Sequence, residues 1–206
     1  MKKISNTRRK SNAFPKYKTG DRIKLPEAMR LSIIERDTKN VSIHEAGHVV
    51  AALLSGNDVV WGRMYKFNDG DVFDQSTRGG CVMSSHARRT KLQSAIIGYA
   101  GVVAELLQDD KLLDLWSVEE AIEDDTFSPS PTDWANIKKI HPTWRRRALE
   151  RCMDLLKANW QQVELAAELI VEDFKFEIEF NPDASEHDET MGRIFLRENL
   201  WRDESK

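Results

Sequence analysis

Residues 44–48 read His-Glu-Ala-Gly-His, inside a segment whose small and apolar residues recur at three-to-four spacing. Val41, His44, Gly47, His48, Ala51, Ala52 and Leu53 fall on one stripe. That predicts a helix over 37–55, stopped by Gly56-Asn57-Asp58. Ser42-Ile-His-Glu45 also fits a capping box, which would start the helix at Ser42 and still leave both histidines on it. Side chains four apart lie one turn apart on the same face, so His44 and His48 can reach one cation. Two imidazoles and a carboxylate on an otherwise apolar helix cost free energy unless they are satisfied. Imidazole suits Zn²⁺, and Glu45, one position on, can accept a proton from a metal-bound water. An exposed helix patch with incidental histidines is the competing reading, and the apolar setting argues against it.

A catalytic zinc site wants a third protein ligand and an open position for water. Cys81 and Cys152 stand in no ligand motif, and His86, His141 and His187 are lone histidines. Two carboxylates remain. Glu105 lies among Val102-Val103-Ala104 and Leu106-Leu107, where it can equally be a paired acid at the edge of the core. Asp133 opens the segment Ser130-Pro-Thr-Asp-Trp134, where it can merely complement a helix dipole. Spacing alone leaves both open.

The rest of the chain reads as α+β, mostly helical with a small sheet. A strand is predicted over 59–67, a turn at Asn68-Asp-Gly-Asp71, and a second strand around 80–84 that can pair with the first. Residues 88–108 predict a long helix containing Gly98 and Gly101. Each glycine costs up to about 1 kcal/mol relative to Ala there, so close packing against another element is expected in compensation. Pro131-Thr132-Asp133 opens a short helix to about residue 140. Residues 143–158 and 161–173 predict a helical pair, and 191–201 a terminal amphipathic helix. No internal repeat is present.

With 206 residues, 40% of them hydrophobic, the chain supplies one core plus tails. Ten Gly and six Pro exclude collagen-like and low-complexity classes. The longest apolar stretch, 49–54, falls far short of the roughly 18 residues of a membrane span. Two cysteines make no disulfide framework, and no apolar signal core follows the basic N-terminus. The expectation is a soluble, cytoplasmic protein.

Charge is uneven along the chain. Lys2, Lys3, Arg8, Arg9, Lys10, Lys16, Lys18, Arg22 and Lys24 face the single acid Asp21 in residues 1–24. This predicts a flexible basic arm, with nucleic-acid binding through residues 2–24 as a secondary reading, since only Phe14 and Tyr17 interleave. Residues 109–129 read as an acidic insert ending in a loop. Residues 181–190 read as an acidic linker. Segments 1–24 and 182–206 are expected to be dispensable for folding, neither offering a large apolar face.

Val41-Ser-Ile-His-Glu-Ala-Gly-His-Val-Val-Ala51 resembles the zinc helix of the peptidase domain of FtsH-type proteases, whose signature is His-Glu-Ala-Gly-His followed by small apolar residues. The resemblance continues in order. Gly79-Gly-Cys-Val-Met83 is similar to that family's strand beside the active site. Tyr99-Ala-Gly-Val-Val-Ala-Glu105 is similar to its Ala-Gly-Arg-x-Ala-Glu helix, and Pro131-Thr-Asp-Trp-Ala135 to its Gly-Ala-x-x-Asp-Leu segment. The helices from 148 to 172 resemble its C-terminal bundle. Coverage is about residues 38–178, within a domain expected over 25–180.

The resemblance implies a zincin-like fold, with His44, His48 and Asp133 binding Zn²⁺ and Glu45 as general base. Glu105 matches a glutamate that supports the site, a role that orienting a histidine's second nitrogen would fill. Val102 replaces the family's usual arginine. The implied activity is zinc-dependent hydrolysis of peptide bonds, with the substrate extended against the strand at 80–84. Family members carry a membrane anchor and an ATPase module, whereas this sequence has neither and no Gly-x-x-x-x-Gly-Lys-Ser/Thr loop. The expectation is ATP-independent cleavage of peptides or unfolded segments, or dependence on a separate ATPase partner. The alternative is a catalytically silent regulatory or binding protein that keeps the zincin fold; retention of Glu45 argues against it.

Overall fold

The run Val49, Val50, Ala51, Ala52 and Leu53 is almost wholly without solvent contact, because the end of the helix that carries it is enclosed on every side. This helix, α1 (Glu27–Leu54), is the centre of a computed structural model that describes residues 27–66, 77–83, 89–124, 127–180 and 193–201. It starts well before residue 37. Residues 27–36 are largely good helix formers, among them Glu27, Ala28, Met29, Leu31 and Glu35. Met29, Leu31 and Glu35 are exposed, so the one-sided apolar stripe that announces a helix is missing there. Ser42 is therefore not a cap. It sits inside α1, its hydroxyl donating to the Lys39 carbonyl at 2.9 Å. The stop signal acts as read: Gly56 takes a positive φ of 89°, and the Asn57 N–H reaches back to the Ala52 carbonyl at 3.1 Å.

Strand β1 (Val59–Lys66) follows and pairs antiparallel with β2 (Thr77–Met83), Val60 facing Met83 and Met64 facing Gly79. Val60 and Met64 point into the core while Trp61 is exposed, the period-two alternation of a half-buried strand. The other edge of β1 is covered by β3 (Arg193–Leu196), giving the order β2-β1-β3. The terminal segment is thus a strand with a short helix, α7 (Arg197–Leu200), rather than the amphipathic helix expected over 191–201. The unpaired edge of β1 decides the matter. Ile194 and Phe195 suit a pleated surface, Phe195 is buried against the core, and Arg193 forks onto Asp173 at 2.6 and 2.8 Å.

Helix α2 (Lys91–Asp109) is capped by Thr90, whose hydroxyl accepts from the Gln93 N–H while the Gln93 side chain accepts from the Thr90 N–H. The Gln93 side chain also donates to the Ser55 carbonyl at 2.9 Å, fastening the start of α2 to the end of α1. The acidic insert carries a helix ahead of its closing loop. Its residues 115–123 form α3 (Leu115–Glu123), capped by Asp114, with Val118 and Ile122 in the core. Dense charge on the other positions concealed this short apolar face. Helix α4 (Pro131–Ile137) lies against α2.

Helices α5 (Pro142–Ala158) and α6 (Trp160–Phe180) are consecutive but scarcely touch. The expected pair is corrected accordingly: α5 packs on α2, and α6 packs on α1. His141 caps α5, its side chain accepting from the Thr143 N–H, which disposes of one lone histidine. Cys152 is a buried core residue. The basic arm, the turn at 68–71, His86, His187 and the linker at 181–190 lie outside the described residues. No described helix is long and apolar enough to cross a membrane.

Candidate metal centre

The carboxylate that joins the two histidines is selected by how closely α4 can approach the crossing of α1 and α2. Three glycines allow that approach. A Cβ on Gly47 would lie 2.5 Å from the Ala100 carbonyl oxygen, so α1 crosses α2 backbone to backbone. A Cβ on Gly98 would lie 2.7 Å from the Asp133 carbonyl oxygen, so α4 is seated directly on α2. A Cβ on Gly101 would occupy the space of the His44 imidazole. The packing expected of Gly98 and Gly101 is present, and both contacts lead to the same place.

His44, His48 and Asp133 converge there, one nitrogen or oxygen from each lying within 4.8 Å of the others, a group that can hold a metal ion. The Nε2 atoms of the two histidines are 3.1 Å apart. His48 Nε2 is 3.5 Å from Asp133 Oδ1, and His44 Nε2 is 3.8 Å from Asp133 Oδ2. Donors on a tetrahedron with bonds of about 2.0–2.1 Å lie roughly 3.3–3.4 Å from one another, so the spacing fits Zn²⁺.

The donor set gives the same answer by a different route. His48 Nδ1 lies 2.8 Å from the Ile97 carbonyl oxygen, which can only accept, so Nδ1 carries the proton. His44 Nδ1 is hydrogen-bonded to Glu105 Oε1. With both Nδ1 atoms donating outward, both Nε2 lone pairs face each other and the Asp133 carboxylate. Three acceptors turned on one point repel unless something positive sits among them. A proton can do this, and so can a divalent cation.

The charges follow suit. Burial works to lower the His44 pKa, but the neighbouring carboxylates of Asp133, Glu105 and Glu45 outweigh it and push it up to about 10. Burial works to raise Asp133, yet the adjacent His44 and His48 hold its carboxyl well below the usual carboxylate range. Glu45 is buried on the same turn of α1, and burial raises its pKa, partly offset by the nearby His44 and His48. No described residue hydrogen-bonds the Glu45 carboxylate. The side chains of His44 and Glu105 keep 19% and 23% of their surface exposed, so the centre is not sealed from solvent.

All five residues singled out in the sequence therefore meet: three as candidate ligands, Glu105 against His44, and Glu45 beside them. Two partners of the site were missed. The Ile97 carbonyl carries no side-chain signal. Ser130 does carry one, since Ser130-Pro-Thr-Asp133 matches the Ser-x-x-acid pattern of a helix start. Its hydroxyl donates to Asp133 Oδ2 at 2.6 Å and accepts from the Asp133 N–H at 3.2 Å. No family model matches the chain, and no curated relative does.

Proposed function

We propose that the chain is a zinc-dependent endopeptidase of the FtsH type, cleaving peptides or unfolded segments without ATP in this domain itself. The observation that carries this is the convergence of His44, His48 and Asp133 with a buried Glu45 one residue from a ligand. Three ligands and a centre not sealed from solvent are the arrangement of a catalytic rather than a closed structural site. The collinear resemblance across 38–178 supports the same reading. Folded substrates would need a separate ATPase partner.

Zinc, when bound, supplies positive charge that lowers the pKa of a water and polarises a carbonyl. The chain's own groups do the remainder. Glu45, made more basic by burial, takes the water proton and hands it to the departing amine. Glu105 and the Ile97 carbonyl hold the two imidazoles with Nε2 turned inward. The outer edge of β2 pairs with no strand among the described residues, and β2 packs on α1, which supports an extended peptide adding itself there.

Glu45→Gln tests the reading. The substitution keeps size and shape but cannot accept the proton. The variant should fold, retain zinc by elemental analysis, and lose hydrolysis of an unstructured peptide library by about 10²–10⁴-fold. If wild type, with zinc fully bound, cleaves no better than Glu45→Gln, the chain is a silent binding protein with a zinc site.

A further inference from the structure

Ser130 stands just outside α4 and makes two hydrogen bonds to one residue. It accepts from the Asp133 N–H, as any serine cap does. It also donates to Asp133 Oδ2 at 2.6 Å, a short bond of the charge-assisted kind. The second bond is not needed to cap a helix. It restrains rotation of the carboxylate, leaving Oδ1 turned toward His48.

The local sequence prepares this geometry. Pro131 disfavours the helical conformation for the residue before it and pushes that residue into the extended region. Ser130 accordingly has φ −57° and ψ 160°, and Pro131 begins the helix without wasting an N–H. From the other side, Gly98 lets α2 press on the Asp133 carbonyl. Asp133 is thus held at its N–H, its carbonyl and one carboxylate oxygen.

We infer that Ser130 is a positioning residue for the metal centre, its hydroxyl orienting the Asp133 carboxylate toward the ion. The inference rests on the metal-site reading above and adds a residue to it. Supporting hydrogen bonds to a ligand are typically worth 10–100-fold in metal affinity.

The test separates orientation from capping. Glycine caps a helix nearly as well as serine, whereas alanine does not, and neither has a hydroxyl. Threonine keeps both functions. The full chain and its Ser130→Ala, Ser130→Gly and Ser130→Thr variants are titrated with zinc against a chromogenic chelator, and the metal-free proteins are melted. Both Ser130→Ala and Ser130→Gly should bind zinc about 10–100-fold more weakly, with Ser130→Thr restored to within a few-fold. The metal-free melting temperature should fall more for Ala than for Gly. If Ser130→Gly binds zinc as wild type does, or if affinity merely follows the melting temperatures, Ser130 is a cap only and the inference is overturned while the metal site stands. If wild type itself takes up no zinc, the site reading and the inference fall together.

Discussion

His44 is asked to face two ways at once. Its Nδ1 is held by Glu105 and its Nε2 faces His48 and Asp133, so removing either neighbour has a different consequence. Replacing a ligand, as in His44→Ala, His48→Ala or Asp133→Ala, should empty the site in dialysed protein. Glu105→Ala should leave zinc bound but about 10–100-fold more weakly, since it loses an orienting bond and not a donor. Equilibrium titration of the four variants reads this directly. The assignment of the third ligand is overturned if Asp133→Ala keeps full occupancy while Glu105→Ala has none.

At the scale of the element, α2 contributes to the site chiefly through what it lacks. Gly101→Ala should raise helix propensity by up to about 1 kcal/mol. Its new methyl would nevertheless stand where the His44 imidazole lies, so zinc binding should be lost even where the helix survives. Elemental analysis beside a circular-dichroism melt distinguishes the two effects. Helix α3 offers a pH test. Asp114 accepts from the Ser117 N–H at 2.8 Å, and that bond holds its carboxyl below the usual range. A carboxylate with a depressed folded pKa contributes stability that is present above its unfolded pKa of 3.8 and lost as pH falls through the folded value. Asp114→Asn keeps an acceptor at every pH. Melting curves between pH 5 and pH 2 should therefore fall more steeply for wild type than for Asp114→Asn. Parallel curves would mean that the cap carries no pH-dependent stability.

For the molecule as a whole, the C-terminal segment is part of the core. Phe195 is 1% exposed and Leu200 4%, and burying such side chains is worth about 1.5–3 kcal/mol each. The expectation that 182–206 can be dispensed with overlooked this, because the few apolar residues of this charged segment gain a partner only when β1 offers one. A chain ending at residue 180 should lose several kcal/mol in urea denaturation and expose an edge of β1. An unchanged midpoint would return 193–201 to the status of a tail.

The helical half of the candidate site was legible in the order of residues because it is local. His44, Glu45 and His48 share one helical turn whatever the rest of the chain does, since a spacing of four fixes a common face. The stop at Gly56, the pairing of β1 with β2, and the start of α4 at Pro131 are likewise local, written in turn residues and period. Tertiary structure decided what depends on approach. Asp133 and Glu105 were equal candidates by spacing; α4 seated on Gly98 brings Asp133 to both Nε2 atoms, while Glu105 on α2 meets only the Nδ1 of His44. It also sent α5 to α2 and α6 to α1, and made a strand of Ile194-Phe195. Periodicity reports which side of a segment is apolar, but which surface covers that side is settled only when all the segments compete for it.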